Sequence, residues 1–180
     1  MNAALQISKL DAARRQLETA VTLYFNWGDP VSIHTLTSAA RNILANLCDH
    51  RNIKPLLLLE SLIDDLVKPD RRKEFRTKVR EAENFFKHAD RDPDTTLKFN
   101  SASSEFMLLE AVEIYFPLTS EHPPLFHLYR AWWMLQNHEA LMDLPPHLKQ
   151  SMSGIKYSPS QRSEFFRDML PTLFSLRMGS

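Results

Sequence analysis

Two groups of polar residues in this chain have types and spacing that could work together. The first is Arg80, Asn84 and His88, with Lys87 and Arg91 beside them. At about 100° per residue, Phe75, Val79, Ala82 and Phe86 fall within a narrow arc of one helix over residues 71–89. Asn84 then falls opposite that arc, and Arg80, His88 and Arg91 share its outer face. An imidazole there can move a proton near neutral pH, an amide can hold an oxyanion, and a guanidinium can neutralise the charge that builds on it. The plain reading of the same residues is a solvated helix end, where a histidine suits the dipole. The second group is His34, Ser38 and Arg41, which lie opposite the stripe of Leu36, Ala40, Ile43 and Leu47. His34 sits in the first turn of its helix, where the dipole disfavours protonation. A neutral imidazole could serve there as a base or a hydrogen-bond donor. A surface histidine is the bland alternative.

Asp90, Asp92 and Asp94 copy the first ligand positions of an EF-hand loop. The match stops there, because the sixth position is Thr95 rather than glycine and the twelfth is Ser101 rather than glutamate. Asp92 before Pro93 suits a turn. No metal site and no cofactor are expected. The chain has no glycine-rich phosphate loop, no G-x-S-x-G elbow and no H-E-x-x-H. Cys48 follows Leu47 at the end of a helical stripe and reads as a small core residue. The aromatic set Phe126, Tyr129, Trp132 and Trp133 recurs at helical spacing and also reads as core.

These residues must be positioned by helices. Leu10, Ala13, Leu17, Ala20, Val21 and Tyr24 make one stripe after a Ser8 cap, over residues 8–25. Asp29 and Pro30 open a second helix, since proline suits the first helical position. The short link makes these two an antiparallel pair. Residues 55–67 are apolar on most sides, which predicts a deeply buried helix. Residues 90–100 read as an ordered loop. Further helices are predicted over 103–116, capped by Ser104, over 123–141, kinked near Asn137, and over 161–176, where Pro171 should bend or split the helix. The sum is an all-α fold in one domain, 1–180. Residues 8–100 form an antiparallel bundle of four core helices, with 101–180 a helical extension packed on it.

Bulk properties agree. Only 3 of the 180 residues are glycine, which disfavours a fold of many hairpins. Cys48 is the one cysteine, the opening MNAALQISK lacks the apolar run of a secretory signal, and no stretch of about 18 apolar residues could span a membrane. A cytoplasmic protein without membrane contact is expected. Net charge is zero, unlike a protein that coats nucleic acid. Residues 68–80 nevertheless carry seven Lys and Arg against Asp70 and Glu74, a run that could hold an RNA backbone.

The segment Asn84-Phe85-Phe86-Lys87-His88, late on a helix of a small bundle, resembles the signature region of HEPN domains. The Asp29-Pro30 junction between antiparallel helices is similar to the first half of that fold. The resemblance covers roughly residues 8–100. It implies a helical bundle that pairs into homodimers, so that the motifs of two chains meet. It also implies contact with RNA, a nucleotide or a partner protein, in toxin–antitoxin or other stress and defence systems. Many members are metal-independent RNases. The family's arginine directly precedes the asparagine, and this chain has Glu83 there. A carboxylate repels a phosphate. The expectation is therefore a non-catalytic binding or regulatory module. The alternative is an RNase in which His88 is the acid/base, Asn84 positions the phosphate, and Arg80 or Arg41 stabilises its charge. His34, Arg41, Lys87, Asp90, Asp92 and Arg91 complete the expected binding face, through which two copies would pair.

Overall fold

The computed structural model of the chain describes residues 4–55, 57–90, 92–137 and 157–178. Every element among them is helical: α1 (Lys9–Phe25), α2 (Pro30–Arg51), α3 (Leu59–Leu66), α4 (Arg72–Val79), α5 (Glu81–Lys87), α6 (Ala102–Thr119), α7 (Pro124–Gln136) and, after a 3-10 turn at Pro159–Gln161, α8 (Arg162–Met178). The fold is an all-α bundle.

The first two helices start as the sequence predicts. Ser8 accepts from the Asp11 amide while Asp11 reaches back to the Ser8 amide, a closed capping box. Asp29 accepts from the Ser32 amide at 2.7 Å, with Pro30 in the first turn. The turn between them leaves Trp27 in the left-handed region at φ 56°. The α1 stripe is buried as expected, with Ala13, Leu17, Ala20 and Val21 fully enclosed.

The core lies where α1, α2, α6 and α7 meet, and α8 packs on α7 and α1. Thus α6 and α7, placed by the sequence in an extension, supply much of the interior. Tyr24, Phe25, Tyr129, Trp132 and Phe165 form an aromatic cluster with ring centroids 5.0–6.2 Å apart. The Trp132 indole N–H donates to the Tyr24 hydroxyl at 3.0 Å, and the Tyr129 hydroxyl donates to the Glu105 carbonyl at 2.8 Å. These bonds satisfy the polar tips of rings that bury a large apolar body. Sequence neighbours α1–α2 and α6–α7 run antiparallel. In contrast α2 and α6 run parallel, since contacts join 34 to 104, 41 to 110 and 51 to 118 in the same order. Residues 52–101 carry the chain back to permit this, and α3, α4 and α5 lie on that crossover.

Several expectations change. The deeply buried helix begins only at Leu59, and Ile63 is its one fully buried side chain among those described. The single helix over 71–89 is two, broken at Arg80, whose backbone (φ −92°, ψ 0°) lies outside ideal helix. Phe75 is 45% exposed, and neither α4 nor α5 has a fully buried residue. The Ser104 hydroxyl does not cap α6; the helix starts earlier, and Ser104 is buried within it. Asn137 ends α7, so the expected stretch beyond it lies outside the described residues. Pro171 sits inside α8 without splitting it.

The largest correction concerns α2. Its polar group does not face out. His34, Ser38 and Arg41 are each less than 5% exposed, because α6 covers the face opposite α1. The Arg41 guanidinium donates two bonds to the Glu110 carboxylate, at 2.6 and 3.1 Å, and the Leu59 amide donates a third to the same group at 2.6 Å. Arg51 then donates to the Leu118 carbonyl at 3.3 Å.

Breaking a buried ion pair leaves an uncompensated charge. In urea denaturation, Glu110→Ala is expected to lose about 3–5 kcal/mol of stability. Phe75→Ala, at an exposed position, is expected to change stability by no more than about 0.5 kcal/mol. Equal losses would mean that α4, not the α2–α6 interface, carries the core.

Candidate functional site

Where α5 ends, its C-cap residue His88 stands in extended conformation, and the chain turns back through residues 92–97. Between them lies an open groove of about 710 Å3 whose walls include Asn84, His88, Asp90, Asp92 and Thr95. Asn84 and His88 are both exposed there, Asn84 on the helix as its phase predicts and His88 on the extended backbone that follows it. The His88 Nδ1 lies 4.0 Å from an Asp90 carboxylate oxygen, and both side chains are mostly exposed. The Thr95 amide and hydroxyl bond the Asp92 carbonyl at 3.1 and 2.9 Å, which sets the turn expected at Asp92-Pro93. Glu81 and Lys78 complete the rim.

The other predicted residues are turned elsewhere. Arg80 donates to Glu60 at 2.7 Å, away from His88. Arg76 joins the same acid at 2.8 Å and Asp64 at 2.5 Å, and Arg72 approaches Asp64 at 3.8 Å. The basic run on α4 is thus in large part a docking face for α3. Burial alone would raise the Glu60 pKa, but hydrogen bonds from Arg76 and Arg80 outweigh it and hold the carboxyl below its usual range. Lys87 donates to Glu83 at 2.6 Å. Glu83 also accepts from the Asn42 side chain at 2.6 Å and is only 12% exposed, so it faces α2 rather than the groove. Arg91 lies outside the described residues.

His34 and Arg41 do not join the α5 face. His34 is 1% exposed, with Nδ1 3.0 Å from the Ser104 hydroxyl. Its ring packs edge-on against Phe86 and Phe99, at 5.6 and 5.1 Å between centroids. The face through which two copies were expected to pair therefore loses both α2 residues, because α6 already occupies that side. No group of three or more metal-ligating side chains gathers among the described residues, and no described helix is long and apolar enough to cross a membrane.

One site escaped the sequence reading. Arg162, at the start of α8, stacks over Trp27 at 3.5 Å and Tyr24 at 4.3 Å. Beside it is a cavity of about 410 Å3 reached by Glu105 and Ser104. Burial raises the Glu105 pKa, opposed by a hydrogen bond from Tyr24 and by the Arg162 charge. The Trp27-Gly28 pair after an apolar stripe marks the turn, but nothing local to it points to an arginine so distant in the chain.

Burial depresses the His34 pKa below its usual 6.5, and the Lys87 charge adds to this while Glu83 opposes it. A folded-state pKa below the unfolded one means that the unfolded chain binds the proton first. The stability His34 supports is complete above pH 6.5 and falls as pH drops through that value toward the folded-state pKa. His34→Phe is expected to flatten that part of the profile, measured by urea denaturation between about pH 5 and 8. Compared with protein-family models, with curated proteins and with solved structures, the chain finds no match.

Proposed function

We propose that this protein is a non-catalytic binding module, HEPN-like in its first part, which recognises a partner protein through the groove between α5 and residues 92–97. One observation carries the reading: no guanidinium faces Asn84 and His88 among the described residues. The position of the family's arginine holds Glu83, turned inward onto Asn42 and Lys87. The nearest upstream candidate, Arg80, is spent on Glu60. A phosphodiester in the groove would meet the Glu81 and Asp92 carboxylates beside Lys78, and a carboxylate repels an anion. The same surface suits a segment carrying Lys or Arg, with Asn84 able to both donate and accept hydrogen bonds. Pairing of two copies through the outer face of α5, which the resemblance implies, would oppose acid to acid and be favoured by salt.

The RNase alternative keeps one point in its favour: His88 and Asn84 do share the groove. Incubating the purified protein with single-stranded RNA separates the two. No cleavage above background is expected, with no difference between wild type and His88→Ala. Cleavage lost on His88→Ala would establish the RNase. Sedimentation velocity at tens of micromolar tests pairing. A dimer that weakens with salt would contradict this charge pattern.

A further inference from the structure

The cavity at the α1–α2 turn, of about 410 Å3, is bordered by one cation and one carboxylate. Arg162 comes from α8 and Glu105 from α6, and both are half-buried. Trp27, Pro30 and Ile33 add apolar surface beside them. The cavity shares no lining residue with the groove beside α5.

Aromatic rings take the flat face of a guanidinium, and carboxylates take its N–H edge. At Arg162 the stacking is in place. Its guanidinium carbon lies 3.5 Å from the centre of the Trp27 ring and 4.3 Å from that of Tyr24. The edge has no carboxylate among the described residues. Arg162 acts on Glu105 through its charge, without a hydrogen bond between them. The Tyr24 hydroxyl contacts both groups. It also accepts from the Trp132 indole, so it leaves most of the guanidinium N–H donors unmatched. The Arg162 Nε is enclosed without a partner, whereas its two terminal nitrogens are not enclosed in that way. The space that Arg162 and Glu105 both border is this cavity.

Trp27 marks the same place independently. It stands at φ 56°, a conformation that suits glycine and strains a bulky side chain. Gly28 follows it closely packed, since a Cβ there would lie 2.8 Å from Leu23 Cδ2. The turn thereby holds Trp27 55% exposed against Arg162. Backbone strain of this kind persists at ligand clamps.

We propose that this cavity binds a free amino acid with an apolar side chain, its carboxylate on the N–H edge of Arg162, its ammonium on Glu105 and its side chain toward Pro30 and Ile33. A simple anion would meet the Glu105 charge, and a simple amine would meet that of Arg162. A zwitterion complements both. The volume falls within the range of small-molecule pockets and leaves room for one ring. The proposal does not rest on the partner assigned to the α5 groove.

Three probes that share one body test it. L-Phenylalanine carries both charges, 3-phenylpropionate lacks the ammonium, and 2-phenylethylamine lacks the carboxylate. Each is titrated into 15N-labelled full-length protein and followed by NMR at the Gly28 and Ser104 amides and the Trp27 indole N–H. Phenylalanine is expected to bind saturably, and each of the other two roughly tenfold or more weakly, the loss of one charged contact. Glu105→Gln is expected to bring phenylalanine and 3-phenylpropionate to similar affinity, and Arg162→Gln to do the same for phenylalanine and 2-phenylethylamine. If a variant does not fold, the wild-type ranking decides alone. No saturable shift with phenylalanine, equal binding of the three probes, tighter binding of either single-charge probe, or a ranking that both variants leave unchanged would each overturn the proposal.

Discussion

The buried pair of Arg41 and Glu110 is the constraint on which the rest of the arrangement depends. Each charge would be very costly alone in the interior, so the two must meet with good geometry. The forked guanidinium meets both carboxylate oxygens, and the Leu59 amide takes a further lone pair. That requirement fixes the parallel register of α2 against α6 to within a residue. The same register sets His34 against Ser104 two turns earlier and Arg51 against Leu118 beyond. It also anchors the first turn of α3, and through the Glu60 and Asp64 ion pairs it places α4. The groove beside α5 lies at the end of this chain of contacts.

Much of the helical architecture can be read from local pattern. Ser8, Asp29 and Pro30 mark the two starts, and the stripe on α1 is buried as its spacing requires. The reading fails on α2, for a physical reason. Polar residues opposite an apolar stripe normally face water, but here they face the polar residues of α6, about 70 positions away in sequence. A buried polar face looks the same as a solvated one until its partner is known. One signal was present: Glu110 interrupts a run from Met107 to Val112 that is otherwise apolar, and a lone acid there needs a cation. On α4 and α5 the apolar spacing was real: Val79, Ala82 and Phe86 are half-buried and Phe86 packs on His34, while Phe75 is left exposed. Asn84 keeps its outward aspect on α5, whereas His88 is exposed as the extended residue that ends the helix.

The charge distribution has a related lesson. The run from Lys68 to Arg80 reads in sequence as a surface for anions. In the fold, Glu60 and Asp64 stand one turn apart on α3 and meet Arg72, Arg76 and Arg80. An internal carboxylate at close range outcompetes a distant phosphate. Net charge per segment describes the field only after such pairs are subtracted.

Ser104 also joins the buried His34 to another part of the protein. Its hydroxyl lies 3.0 Å from His34 Nδ1, and the same residue borders the cavity of Trp27 and Arg162. A hydroxyl has one proton to give, so its direction is shared information. While it points at His34 Nδ1, it offers only lone pairs to the other side. Were it to turn that proton toward the cavity, the imidazole would have to present Nδ1–H to the hydroxyl oxygen, so the hydroxyl and the ring reorient together.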